Sequence, residues 1–175
     1  MTKWNVDAAH TNVGFSVRHM MVSNVRGNFT GIEGSVEGDL ENLTEAKINF
    51  NIDVNTLNTN NEDRDNHLRS DDFFAVESYP NITFVSTKIV KTGEDDYDVL
   101  GDLTVKNVTK KITFKVTRTG AGKNPWGVEV VGFEAETKIS RKEFGLTWNQ
   151  VLETGGVLVG DDIKITVELQ VNPAQ

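Results

Sequence analysis

The sequence predicts an all-β protein, an antiparallel barrel or sandwich of about eight strands. Three observations carry this. Apolar residues recur with period two along most of the chain, turn-like clusters separate those runs, and helical character is confined to one short stretch. At 175 residues the chain suits a single domain, 1–175, with a real hydrophobic core.

Taken in order, "VGFSVRH" sets Val13, Phe15 and Val17 on one face. The next run, "VRGNFTGIEGSVEG", reads as a longer strand whose glycines at 27, 31 and 34 let a sheet coil or bulge. "AKINFNIDV" places Ala46, Ile48, Phe50, Ile52 and Val54 opposite Lys47, Asn49, Asn51 and Asp53, as a half-buried strand requires. A short helix follows: Thr59 and Glu62 read as a capping box, Asp63 and Asp65 suit a first turn, and the helix stops near Arg69. Phe73 and Phe74 come next and are costly side by side in water, so at least one is expected beneath the barrel rim.

The second half continues with "NITFVST", "YDVLGDLTV", "KKITFKVTR" and "WGVEVVGFEAETKIS", divided by turn clusters such as "TGEDD" and "GAGKNP". An irregular stretch, "SRKEFGLTWNQVLETGGVLVG", joins the last two strands, with Phe144, Leu146 and Trp148 alternating and Gly155-Gly156 marking a turn. "DIKITVELQV" is the last strand, with Ile163, Ile165, Val167, Leu169 and Val171 inward. The helix and this second insertion are candidates to close barrel ends.

Charge and composition narrow the function. With 26 acidic against 18 basic residues the formal charge is -8, which disfavours nucleic acid and anionic membranes as partners. The cluster Lys106, Lys110 and Lys111 belongs to a solvated hairpin turn. There is no cysteine, hence no disulfide and no thiolate chemistry. The start "MTKWNVDAAHTNVGFSV" lacks the features of a secretory signal, and no apolar run approaches the roughly 20 residues of a membrane span. A cytoplasmic, non-spanning protein is the expectation.

Catalytic signatures are missing. Neither the common nucleotide-binding glycine patterns nor the hydrolase and zinc-protease motifs occur, so no catalytic residue and no cofactor is expected. The acidic pairs Asp71-Asp72, Asp95-Asp96 and Asp161-Asp162 lack the ligand spacing of a calcium loop and read as solvated turns. His10, His19 and His67 could meet at a rim as a nitrogen-rich metal site. The simpler reading gives each a local hydrogen bond, His10 with Asp7 and His67 with Asp63.

A barrel of about eight strands is either filled by its own side chains or holds one small ligand. Phe15, Phe50, Phe84, Phe114 and Phe133 all fall at inward positions, which serves a filled core and an apolar cavity equally well. A cavity so lined suits a hydrophobic chain: burying about ten methylene groups contributes roughly 8 kcal/mol gross.

Four segments, "VDAAHTNVGFSVRHMMVSNVRGNF", "RDNHLRSDDFFAVESYPNITFVST", "LTVKNVTKKITF" and "ISRKEFGLTW", resemble in order and spacing the YceI-like, or polyisoprenoid-binding, family. The resemblance runs from about Trp4 to Val171. Its matching motif residues are His10, Phe15, His19, Gly27 and Phe29; then Arg64, His67, Leu68, Arg69, Phe73, Phe74, Tyr79 and Pro80; and finally Arg141, Phe144, Gly145 and Trp148.

That resemblance implies a lipocalin-like, eight-stranded antiparallel β-barrel with a short capping helix between strands 3 and 4, forming homodimers. It implies a protein that binds and sequesters or carries an isoprenoid lipid, such as a polyprenyl chain or prenylated quinone, without catalysis. The ligand-binding candidates are Phe15, Val17, Phe29, Phe50, Ile52, Phe73, Phe74, Phe84, Phe114, Phe133, Phe144 and Trp148, with His10, His19, His67, Arg69 and Arg141 as rim or polar anchors. In this picture the helix caps one barrel end and Phe73 and Phe74 plug beneath it. Two features depart from the family: many relatives carry a secretory signal, which this start lacks, and Ser140 stands where an acidic residue usually precedes the arginine, which weakens the case for an ionic lock at that corner. The rival readings are a metal- or histidine-dependent enzyme at the rim and a stress-associated protein with a filled core.

Overall fold

Alternating strands that each bury one face must curl around a shared interior, and here they close on themselves. The structure is a computed structural model that describes residues 2–19, 23–146 and 159–174. Its strands are β1 (Lys3–Val6), β2 (Asn12–His19), β3 (Ser23–Phe29), β4 (Ile32–Asp39), β5 (Asn42–Asp53), β6 (Asn81–Lys91), β7 (Asp96–Val105), β8 (Val108–Lys123), β9 (Glu129–Ser140) and β10 (Val159–Pro173), with one helix, α1 (Glu62–Arg69), between β5 and β6.

Ten strands reduce to eight walls because two of the walls are bent. β1 and β2 are one strand interrupted by a helical turn at Ala8–His10, where the Asp7 side chain accepts the Ala9 N–H. β3 and β4 are a second, interrupted at Thr30 and Gly31, whose N–H groups both donate to Thr56 Oγ1 at 3.2 and 2.9 Å. No backbone donor is wasted at the bend. The order is then an antiparallel meander, and it closes because β1 and β2 both pair with the long β10 (Trp4 with Pro173, Val17 with Ile163). This is the predicted eight-stranded barrel, with α1 between its third and fourth walls.

Inward positions match the alternation read from sequence. Ile52, Ile82, Phe84, Val99, Phe114, Phe133, Val167 and Val171 join one continuous core. One end of the barrel is sealed by Leu40, Leu43 and Tyr97, whose hydroxyl donates to the Glu41 carbonyl at 3.2 Å. The β7–β8 turn holds Lys106 and Asn107 at φ 50° and 62°, the left-handed pair of a two-residue hairpin, and leaves Lys110 and Lys111 in solvent as expected.

Two local expectations are corrected. The helix cap is Asn61, whose side chain accepts the Arg64 N–H at 3.0 Å, and not Thr59. Asn60 adopts φ 63°, which turns the chain between Thr59 and the helix and sends Thr59 into the interior. Asp161 and Asp162 lie within β10 and not beside a turn: Asp161 accepts from Ser140 Oγ at 2.5 Å, and Asp162 lies 3.5 Å from Lys138 Nζ.

Candidate functional site: a capped apolar chamber with a basic rim

The end opposite Tyr97 is covered by the segment from Leu57 to Tyr79. A strap at Asn58 pairs with Asn28 of β3 through two backbone hydrogen bonds of 2.9 Å, and the strap fits because Gly27 has no side chain. A Cβ on Gly27 would lie 2.5 Å from Phe15 Cζ and 2.7 Å from Thr59 Cγ2. The buried Asp65 carboxylate accepts from the Thr59 N–H at 2.9 Å and from its hydroxyl, while Arg64 donates to Thr59 Oγ1 at 2.8 Å and to its carbonyl at 2.6 Å. Arg69 adds a bond to the Leu57 carbonyl at 2.8 Å. These bonds fix α1 to the strap without any long apolar helix face.

After α1 the chain doubles back. The N–H groups of Phe73 and Phe74 donate to the carbonyls of Ser70 and Leu68, both at 3.0 Å, so the two rings project beneath the helix. Phe73 is buried and meets the His67 ring edge-on at 5.1 Å. Phe74 meets Phe29 edge-on at 6.2 Å, and Phe29 meets Phe15 at 5.4 Å. The rings form a ceiling, as the sequence predicted for this stretch.

Under the ceiling lies a chamber of about 210 Å³. Its wall includes Phe15, Val17, Phe29, Phe50, Ile52, Phe73, Phe74 and Phe114 among the candidates read from sequence. Val13, Leu103, Val105, Ile139, Ile163 and Ile165 contribute further apolar surface to it. A second chamber of about 50 Å³ lies deeper, walled by Phe84 and Phe133 together with Val36, Leu43 and Val116. Phe50, Phe114 and Val167 face both. Phe144 is buried but borders neither chamber, and Trp148 lies outside the described residues.

The rim is basic. Among the described residues, Arg18, Arg64, Arg141 and His67 border the larger chamber and no carboxylate does, in a chain of net charge -8. Arg141 is 1% exposed; its Nη1 donates to the Leu146 carbonyl at 2.5 Å and its Nε to that of Gly160 at 2.8 Å. Burial lowers its pKa while the Asp161 charge acts in the opposite direction, and a guanidinium so placed stays cationic. The corner that lacks an acid before the arginine therefore has one from β10. Helix α1 and residues 141–146, the described start of the second insertion, meet at this one end of the barrel.

Hydrogen bonding from Ser140, and secondarily from the Lys142 N–H, lowers the Asp161 pKa below its ordinary 3.8, against the opposing effect of burial. A depressed carboxylate contributes stability that is complete above the unfolded value and is lost as pH falls through the lower folded one. Asp161→Asn should therefore flatten the dependence of stability on pH below about 4. Urea melts of wild type and variant across that range check it; parallel acid limbs would contradict it.

The remaining anchors are spread out. His10 is exposed and its Nδ1 lies 2.9 Å from Asp7 Oδ2, as expected. His67 Nε2 lies 2.9 Å from Asp72 Oδ2, so the acidic partner comes from the turn after the helix and not from Asp63, which points into solvent on the first turn. Arg69 is engaged with the strap and does not border the chamber. His19 ends β2 opposite Ser23, and its side chain lies outside the described residues. Among the described residues no three His, Asp or Glu side chains come together in a way that could hold a metal ion. Arg18 and Arg64 border the chamber without having been singled out as anchors. For Arg64 a signal existed, since it lies in the central motif; Arg18 follows the inward Val17 and alternation places it outside.

A profile of the YceI-like domain matches residues 4–171. The chain belongs to the YceI-like family. Within it, a UPF0312 protein of Staphylococcus epidermidis is 42% identical over 165 residues, 94% of each chain, and one of Staphylococcus aureus is 41% identical over the same span. Among solved structures, the YceI-like barrel is similar to Burkholderia cenocepacia BcnA, with TM-score 0.82 at 25% identity over 94% of this chain and 98% of that one. It is similar to a Campylobacter jejuni YCEI protein, with TM-score 0.77 at 34% identity over 97% and 96%. It also shares the fold of a polyisoprenoid binding domain from Saccharophagus degradans, with TM-score 0.76 at 14% identity over 99% and 100%.

Proposed function

We propose that this YceI-like protein binds an isoprenoid amphiphile and sequesters or carries it, with the apolar chain in the 210 Å³ chamber and an anionic head group at the basic rim. The observation that carries the reading is the pairing of an almost wholly apolar wall with Arg18, Arg64 and Arg141 at one end, while no described carboxylate lines the chamber itself. Guanidiniums favour phosphate or carboxylate oxygens, and the wall favours a hydrocarbon. The name of the Saccharophagus degradans domain, a protein of the same fold, points to the same ligand class.

Binding needs no catalytic group, and the polar cluster of Thr59, Arg64 and Asp65 holds the cap while Arg64 also borders the chamber. Among the described residues no helix is long and apolar enough to cross a membrane, and the ligand would enter through the capped end. Geranyl phosphate should bind at least about tenfold more tightly than geraniol at low salt, with the gap narrowing as salt rises. Arg64→Gln should narrow it as well. Calorimetric titration checks both; equal affinity for the two ligands at every salt concentration would overturn the anionic head group.

A further inference from the structure

We propose that Phe50, Phe84 and Phe114 form a gate that measures ligand chain length, opening the deeper chamber only to chains longer than the upper chamber holds. The inference rests on the reading just given.

The upper chamber is short for its role. At roughly 30 Å³ for a methylene-sized group, about the share of a water in the liquid, 210 Å³ takes about seven such groups, between one and two isoprene units. A longer prenyl chain meets the three rings next. Phe50 stacks on Phe84 with centroids 5.1 Å apart and planes at 21°. Phe114 stands edge-on to both, 5.1 Å from Phe84 and 6.1 Å from Phe50. Rings at such separations are in contact, and no hydrocarbon passes between them.

Below the rings the barrel is not solid. The deeper 50 Å³ is walled by apolar side chains and would take about two more groups even before a ring moves. An empty space in a sealed core destabilises it, and cores are ordinarily packed without one. This space adjoins the ligand chamber across a single layer of side chains, three of which, Phe50, Phe114 and Val167, face both chambers.

Phe50 is the least confined of the three rings. Phe84 and Phe114 are 1% and 4% exposed, and Phe84 lies over Gly101, where a Cβ would come within 2.6 Å of its Cζ. Phe50 is only partly buried. Its register partners are Phe84 on β6 and Gly34 on β4, so on the β4 flank no side chain stands directly across from it. A chain that outgrows the upper chamber displaces this ring and gains the deeper space.

The test titrates dimethylallyl, geranyl, farnesyl and geranylgeranyl phosphates into wild type, Phe50→Ala and Phe50→Leu. Wild-type affinity should climb from dimethylallyl to geranyl by less than a full isoprene unit contributes and then level, because groups beyond about the seventh must displace the ring. In Phe50→Ala the climb should continue through farnesyl, raising the farnesyl-to-geranyl affinity ratio by about tenfold or more. Phe50→Leu, the milder cavity, should move the same way by less and keeps the test decisive if the alanine variant does not fold. Identical length profiles in folded variants and wild type would overturn the gate and leave the ligand reading standing. If no prenyl phosphate binds any of the folded proteins, the ligand reading falls and the gate falls with it.

Discussion

Replacing Arg141 with methionine should destabilise the protein by about 3–5 kcal/mol. Few side chains here are buried so completely while carrying a charge. Its guanidinium supplies donors to the carbonyls of Leu146 and Gly160. Truncating it leaves both acceptors inside a wall that water reaches poorly, and each unsatisfied group costs about 1–3 kcal/mol. Methionine refills most of the volume, so the loss is one of hydrogen bonds and not of packing. Arg141→Lys should recover only part of the stability, because an ammonium on a flexible stem cannot reproduce two bonds from a planar fork. Equilibrium urea unfolding reads the effect as a lowered midpoint at unchanged slope. A loss under about 1 kcal/mol would mean that the corner joining β9 to β10 is held by something else.

The double substitution Phe73→Ala with Phe74→Ala should weaken binding of geranyl phosphate by about 30- to 200-fold, the loss of roughly 2–3 kcal/mol of apolar contact across the ceiling. Stability falls too, since Phe73 is buried against His67 and Leu68 belongs to the same layer. The distinguishing expectation concerns where the losses fall. The rings sit in the cap, outside the closed ring of strands, so the barrel should remain cooperative in unfolding while the affinity collapses. Thermal melts with and without ligand separate the two. A folded double variant with wild-type affinity would show that the ceiling takes no part in binding.

Much of this was legible in the sequence because a half-buried strand forces period-two alternation, and β5 and β10 display it over nine residues or more. The inward set Phe50, Ile52, Phe84, Phe114 and Phe133 follows directly. So does the cap, since two adjacent phenylalanines after a polar helix have few places to go. β1 was invisible for the opposite reason: Lys3–Val6 has only Trp4 and Val6 facing inward, too short a run for any period. The helix cap was misplaced because a single left-handed residue, Asn60, reassigns Thr59 from cap to core, and a spacing rule does not see backbone handedness. The pairing of Ser140 with Asp161 and the choice of Asp72 for His67 depend on how distant or folded-back segments meet. The basic rim depends on the same kind of closure: Arg18, Arg64 and Arg141 come from three separate walls and insertions. The division of the interior into two chambers needs all three ring orientations, which no inward/outward pattern contains.

The most direct test of the central claim is native mass spectrometry of the protein purified from its own host, followed by organic extraction and identification of what is released. The account predicts reproducible adducts whose extracted lipids are isoprenoid amphiphiles with an acidic head group, and whose occupancy falls in the Phe73→Ala, Phe74→Ala double variant. A protein that is empty as purified, and that stays empty when incubated with prenyl phosphates, would contradict it.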